Sequence, residues 1–209
     1  MPITLGDTSI TGLGVGGLPA GTVNSTSLAD SAVITAKLSD SAITAAKMGY
    51  SGAILQIVRN TPSSATGYAQ SVSGYTEVSA DYRTAITPIS SSSILILDFE
   101  FLFGGNNSGA ISTMKFFNVT NSAEVGLSGF SSGSRGIGHA SMRNSDNDSN
   151  DRHPCRLRAY VTSGSTSSRT YTMQHYSENA VTKYFNHTPT DNSGCSYVKW
   201  SFIITEVRA

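Results

Sequence analysis

The chain has 209 residues with 14 basic and 14 acidic side chains, and 13% of its residues are charged, where an ordinary soluble domain carries about 25%. Serine and threonine make up roughly a quarter of the chain, which is above average usage. A net charge of zero argues against a nucleic-acid binder, which needs clustered lysine and arginine. No apolar run reaches the roughly 18 residues that span a bilayer, so we expect neither nucleic acid nor a membrane as a partner.

The first fifty residues carry an aliphatic side chain at every fifth position. The series begins at Leu13 and continues through Leu18, Val23, Leu28, Val33, Leu38, Ile43 and Met48. A five-residue period gathers no stripe on a helix, and it alternates between the faces of a flat strand. Short extended pieces joined by turns would instead point each of these side chains at one axis. Because a single chain offers no second layer to cover that axis, we predict an intertwined homotrimeric shaft.

An alternative for the repeat is a pair of short helices. Its alanines favour helix, and Leu28, Ala32 and Thr35 have helical spacing. Valine, isoleucine and threonine at the centre of each unit favour extended backbone instead, since β-branched side chains lose rotamer freedom in a helix. The stretch before the repeat contains five glycines between positions 12 and 21, which predicts irregular or tightly turned backbone.

Residues 51–209 are predicted to form an all-β, jelly-roll-like β-sandwich of about eight strands. Short runs rich in β-branched and aromatic residues recur at a spacing typical of such folds. Leu97, Phe99, Phe101 and Phe103 alternate along one strand, which predicts that they share its buried face. We expect Trp200 in the core as well. The predicted strands cover residues 53–59, 75–78, 82–87, 93–103, 113–119, 156–161, 169–176 and 197–207.

One loop resembles the start of a calcium-binding loop. Asp146, Asp148 and Asn150 match the first three oxygen ligands of such a loop, which stand at alternate residues. The glycine and the closing glutamate of the motif are missing, since Asp151 and Leu157 occupy those positions. The alternative is a polar, solvated loop.

The remaining polar residues show no catalytic pattern. The chain has no Gly-x-Ser-x-Gly or His-Glu-x-x-His motif, so we expect a non-enzymatic protein without a cofactor. Cys155 and Cys195 are either two buried thiols or a disulfide. Sugar recognition would use aromatic side chains near loops, for which the candidates are Tyr68, Tyr82, Tyr184 and His187.

Three stretches resemble a family of phage virion proteins, common in marine and cyanobacterial phages, that are called tail-fibre-like or structural proteins. Residues 3–13 and 18–23 are similar to its virion-attachment region. Residues 40–48, Asp-Ser-Ala-Ile-Thr-Ala-Ala-Lys-Met, resemble the Asp-Gly-Ala-Val-Thr-x-Ala-Lys-Leu repeat of phage fibre shafts. Residues 52–58, 87–96 and 203–207 resemble the β-domain that follows the shaft.

The resemblance implies a division into an attachment segment (1–27), a repeat shaft (28–50) and a β-sandwich domain (51–209). It implies a bacteriophage structural protein made in the host cytoplasm and assembled into the virion. The expected form is a short homotrimeric tail fibre that docks on other virion proteins through residues 1–27 and contacts the host surface. Two alternatives stay open, namely a capsid decoration or head-fibre protein, and a module that binds host glycans.

Overall fold

The computed structural model describes residues 33–34, 38, 51–62, 67–105, 111–127, 137–143, 152–178, 181–186 and 199–209. The chain divides into two units, Met1–Gly49 and Tyr50–Ala209. The residues described in the first unit are Val33, Ile34 and Leu38, and all three are exposed. The finer division at residues 27 and 28 stays a prediction.

The second unit is built from antiparallel β-strands, and no α-helix occurs within its described residues. The 3-10 turn Ala80–Tyr82 separates the third strand from the fourth. The twelve strands of the described part are β1 (Ile54–Asn60), β2 (Tyr68–Gln70), β3 (Thr76–Glu77), β4 (Thr84–Ile86), β5 (Ile94–Gly105), β6 (Ile111–Asn118), β7 (Ala123–Glu124), β8 (Ala140–Arg143), β9 (His153–Thr162), β10 (Arg169–Ser177), β11 (Lys183–Phe185) and β12 (Ser201–Val207).

The first sheet is organised around the long strand β5. Strand β9 pairs along one side of β5 from Ile94 to Phe103. The other side of β5 pairs first with β12 and then, further along, with β11. Strand β1 lies beyond β12, and β2 lies beyond β11. The sheet is therefore four strands wide. β9 lies at one edge, β5 comes next, β12 and β11 share the third position, and β1 and β2 share the other edge.

The second sheet is organised around β10 and β6, which pair over seven residues from Tyr171–Asn118 to Ser177–Ser112. Strands β4 and β3 flank the free side of β10. Strands β7 and β8 flank the free side of β6. This sheet is therefore also four strands wide.

The hydrophobic core lies between the inner faces of the two sheets. The rings of Phe116 on the second sheet and Phe202 on the first stack with their centroids 5.4 Å apart. His175 on the second sheet meets Phe185 on the first edge-on at 5.2 Å. Aromatic rings in these arrangements contribute about 0.5–1.5 kcal/mol per pair beyond the area they bury. The inner faces therefore determine how the two sheets pack.

The prediction of an all-β unit is confirmed, and so is the alternation along β5. Leu97, Phe99, Phe101 and Phe103 are all buried, and Trp200 is buried directly before β12. The number of strands differs from the prediction, because β2, β7, β8 and β11 are two to four residues long. Such short runs give no periodic signal in the sequence.

Candidate functional site

Most of the residues predicted to form a site lie outside the described part of the chain. This holds for the calcium candidates Asp146, Asp148 and Asn150 and for the predicted axis residues Leu18, Val23, Leu28, Ile43 and Met48. No group of three or more metal-ligating side chains occurs among the described residues. Val33 and Leu38 are described, and their exposed fractions are 53% and 41%.

The aromatic candidates for sugar binding do not form an open platform where they are described. Tyr82 was expected beside a loop, but it is completely buried, with its ring 4.9 Å from those of Phe99 and Trp200. The expectation of an exposed ring is wrong, because the 3-10 turn Ala80–Tyr82 places this side chain in the hydrophobic core. Tyr68 is half-buried and donates a hydrogen bond to Asp81.

The other two aromatic candidates give no platform in the described part either. Tyr184 is half-buried, with the guanidinium of Arg152 5.1 Å from its ring centre. His187 lies outside the described residues. Cys155, half-buried, is a free thiol, which agrees with the unpaired alternative for this residue.

The buried titratable groups of the core are closed off from solvent. His175 Nδ1 lies 3.0 Å from Gln70 Oε1, while its Nε2 and the Nζ of Lys183 have no hydrogen-bond partner among the described residues. Burial, together with the neighbouring charge of Lys183, lowers the pKa of His175 to about 3. Burial also lowers the pKa of Lys183. Both side chains are fully buried, so the surrounding residues shield these nitrogens from solvent.

The surface that stands out is the outer face of the first sheet. Ile54 and Ile57 on β1 are 56% and 60% exposed, Ile94 on β5 is 37% exposed and Tyr160 on β9 is 60% exposed. The pairing register puts these side chains on one face, because residues directly opposite each other in an antiparallel pair point to the same side. We call this surface the outer apolar face.

The register arranges the outer apolar face in two cross-strand rows. The first row runs across the sheet through Ile54, Val207, Ile94 and Thr162. The second row runs through Ile57, Thr205, Ile96 and Tyr160. Most side chains of both rows are aliphatic or aromatic, so the face is continuous from β1 to β9.

A charged row borders the apolar rows. It runs through Arg59, Ile203, Asp98 and Arg158. Asp98 accepts hydrogen bonds from Arg156 Nε at 2.6 Å and from Arg158 Nε at 3.0 Å. Burial by itself would raise the pKa of Asp98, but the two guanidinium groups outweigh it and hold that pKa below its usual value. Asp98 therefore stays ionised at neutral pH.

Beyond the charged row the same face ends in an open groove of about 570 Å³. Its floor and walls are mostly apolar, and charged side chains stand at its rim. The lining residues are Glu100, Phe101, Leu102, Pro154, Cys155, Arg156 and Lys199. The groove is large enough to accept a side chain from another protein.

The outer face of the second sheet is different. Thr113, Lys115 and Thr172 on that face are buried. The Lys115 ammonium lies 3.7 Å from the centre of the Tyr75 ring and pairs with Glu124. Neighbouring parts of the same chain thus already cover this second face, whereas the outer apolar face stays open.

The sequence does contain a signal for the open face. Residues 94–97 and 202–204 are apolar at every position, rather than at alternate positions. A strand that is covered on one side only has alternating polarity, whereas a continuous apolar run is typical of strands covered on both sides. Alternation predicts the inner face, and the additional isoleucines on the opposite side of these strands are the signal for the outer apolar face.

The chain matches no protein-family model, and a search of curated proteins finds no match to it. Within the described residues, no helix has the length and apolar character needed to cross a membrane.

Proposed function

We propose that this protein is a non-enzymatic structural subunit of a phage virion, a short trimeric fibre of the tail-fibre type. Residues 1–27 attach it to another virion protein, residues 28–50 form the repeat shaft, and residues 51–209 form the jelly-roll-like domain at its end. The resemblance of residues 40–48 to fibre-shaft repeats supports the virion part of the proposal.

The observation that carries the trimer is the exposure of repeated aliphatic side chains. Val33 and Leu38 are members of the five-residue series and are 53% and 41% exposed on the single chain. Fully burying such a side chain contributes about 1.5–3 kcal/mol. The seven predicted axis positions from Leu18 to Met48, each present in three chains, would therefore supply a large gain on assembly. A monomer would leave Val33 and Leu38 in water.

The architecture of the second unit supports the jelly-roll-like part of the proposal. The unit has two antiparallel sheets, each four strands wide, that pack through aromatic inner faces. This is the arrangement expected of an eight-stranded sandwich. The long strand β5 pairs with β12 and β11 in succession, so these two shorter strands together take the place of one strand of the sandwich.

A glycan-binding role is less well supported than a structural one. Recognition of sugars relies on exposed aromatic faces with polar groups beside them, and Tyr82, one of the four candidates, is part of the core. A capsid decoration or head-fibre protein would use the same trimeric design. It differs from a tail fibre in its place on the particle.

Two measurements test the proposal. Light scattering of the full chain should give the mass of three chains, and a stable monomer at micromolar concentration would contradict the assembly. Electron microscopy of phage particles with a gold-labelled antibody against residues 51–209 should place the label at the tail. A label over the head would favour the capsid alternative, and unlabelled particles would contradict a virion role.

A further inference from the structure

We propose that the outer apolar face is a contact surface between copies of this chain. Three copies meet through it around an axis that runs parallel to the strands of the first sheet. This inference rests on the proposed trimer and adds to it, because it assigns an intersubunit contact to the second unit as well as to the repeat.

The composition of the strands supports a covered face. Ile96 and Ile203 lie on the outer side of the central strands β5 and β12, next to the exposed Ile57 and Ile94. Monomeric soluble proteins rarely leave a contiguous apolar surface of this kind open. An antiparallel sheet with one face in water normally places polar residues there.

The order of the rows favours a second copy of the same chain as the occupant. Rotation about an axis parallel to the strands does not change the position of a residue along that axis. Each cross-strand row of one copy therefore meets the same row of the next copy. The β1 side of one copy then faces the β9 side of its neighbour. Ile57 meets the row of Ile96 and Tyr160, and apolar surface is matched with apolar surface.

The charged row meets itself in this arrangement. Arg59 on β1 is exposed and forms no ion pair with another described residue. The β9 member of the same row is Arg158, which is already paired with Asp98. The charged row therefore adds no new ion pair between copies, and the two apolar rows carry the contact.

The area of the face fits a contact that works together with the repeat. Four strands side by side at ~4.8 Å spacing, each contributing about six residues at ~3.3 Å per residue, cover roughly 400 Å². Stable protein interfaces bury about 800 Å² on each partner. The face alone would associate weakly, but a shaft that holds the copies together raises their local concentration to about the millimolar range.

The path of the chain fits this cooperation. Gly52 N donates to Arg208 O at 2.7 Å, and Arg208 N donates to Ala53 O at 2.9 Å. These bonds fix the start of β1 beside the end of β12, where Ile54 and Ile94 belong to the first apolar row. The chain thus enters the second unit at the end of the outer apolar face, a few residues after the last member of the repeat.

Cross-linking of the full chain tests the contact. In the double variant Ile57→Cys, Tyr160→Cys, a short thiol-specific cross-linker should join the β1 side of each copy to the β9 side of the next and produce a covalent trimer. The control is Ile57→Cys, Ala85→Cys, because Ala85 is exposed on the outer face of the second sheet and should give no such product. The unaltered chain measures the background from its own two thiols.

A second variant measures the contribution of the face to assembly. Ile57→Asp replaces an exposed side chain, so the fold should tolerate it, but it places a carboxylate in the apolar contact. The protein concentration at which the full-length trimer dissociates should rise at least roughly tenfold. The matched change Ala85→Asp should leave that concentration unchanged.

The outcomes separate this inference from the proposed function. A trimeric chain that gives no covalent trimer and is unaffected by Ile57→Asp overturns the contact surface, while the trimeric fibre stands. A covalent dimer without a trimer overturns the cyclic arrangement. A monomeric unaltered chain overturns both the inference and the assembly on which it rests.

Discussion

Ser93 donates a hydrogen bond of 2.6 Å from its hydroxyl to the carboxylate of Glu206, which is completely buried on the inner side of β12. The same carboxylate accepts a bond of 2.6 Å from the Gln56 side chain and bonds from the backbone N–H groups of Ile89 and Ser90. Glu206 thereby ties β1 and the 87–93 segment to the last strand. A buried charge is tolerated here because donors surround it.

Replacing Glu206 by glutamine should therefore destabilise the fold. The amide would put an NH2 group in place of one carboxylate oxygen, so the donors bonded to that oxygen would lose their acceptor. We expect a loss of about 2–4 kcal/mol in the free energy of unfolding, measured by urea denaturation. Glu100→Gln is the matched control, since Glu100 is exposed on the same sheet, and it should change the stability by less than about 0.5 kcal/mol. Equal effects of the two variants would contradict the role assigned to Glu206.

The pH dependence of stability should show two windows. The pKa of His175 falls from 6.5 to about 3 on folding because the ring is buried. The unfolded chain therefore binds more protons than the folded one below pH 6.5, and stability falls as the pH is lowered from 6.5 toward 3. The slope contributed by one such group is at most about 1.4 kcal/mol per pH unit. Unfolding in urea at several pH values measures it, and His175→Gln should reduce the slope in this window.

The second pH range, below pH 4.5, is the one in which buried carboxylates lose their contribution to stability. Burial would raise the pKa of Glu206, but the hydrogen bonds from Gln56, Ser93, Ile89 and Ser90 lower it below its usual 4.5. Its contribution is fully present above pH 4.5 and is lost as the pH falls through the lowered value. Glu206→Gln should remove this part of the pH dependence and leave the His175 window intact. A slope that is unchanged by the variant below pH 4.5 would count against the assignment.

Two glycines should differ in how they tolerate replacement by alanine. A Cβ on Gly138 would lie 2.4 Å from the carbonyl oxygen of Met114 and 2.5 Å from a methyl carbon of Thr113, whereas a Cβ on Gly74 would meet nothing within 4 Å. Gly138→Ala should therefore lower the free energy of unfolding by about 1–3 kcal/mol. Gly74→Ala should be neutral within about 0.5 kcal/mol. Thermal or urea unfolding of the two variants side by side decides this, and a neutral Gly138→Ala would show that the approach is looser than described.

The repeat can be tested by substitution at neighbouring positions. Leu38→Asp would place three carboxylates around the proposed axis, and burying unpaired charges costs several kcal/mol. Assembly should fail, and sedimentation should show single chains. Ser39→Asp, one position further along, should leave the assembly intact. If both variants remain trimeric, Leu38 does not face an axis and the repeat packs in another way.

The inner faces of the sheets could be predicted because alternation of apolar and polar residues is a local signal. The residues from Leu97 to Phe103 show it directly. The position of Tyr82 could not be predicted in this way, because a 3-10 turn of three residues carries its ring into the core. The outer apolar face depends on register, since Ile57 and Tyr160 share a row only after β12 and β5 have paired between them. The uninterrupted apolar runs at 94–97 and 202–204 indicate that these strands have a second apolar face, but a local pattern does not show which strands, more than a hundred residues away, complete it.

The most direct test of the central claim is the mass of the full chain in solution. Sedimentation equilibrium or light scattering at micromolar concentration should give three times the 21.9 kDa of one chain, and the mass should stay constant on moderate dilution. A mass of 21.9 kDa over the same range would contradict the trimeric fibre and, with it, the contact through the outer apolar face.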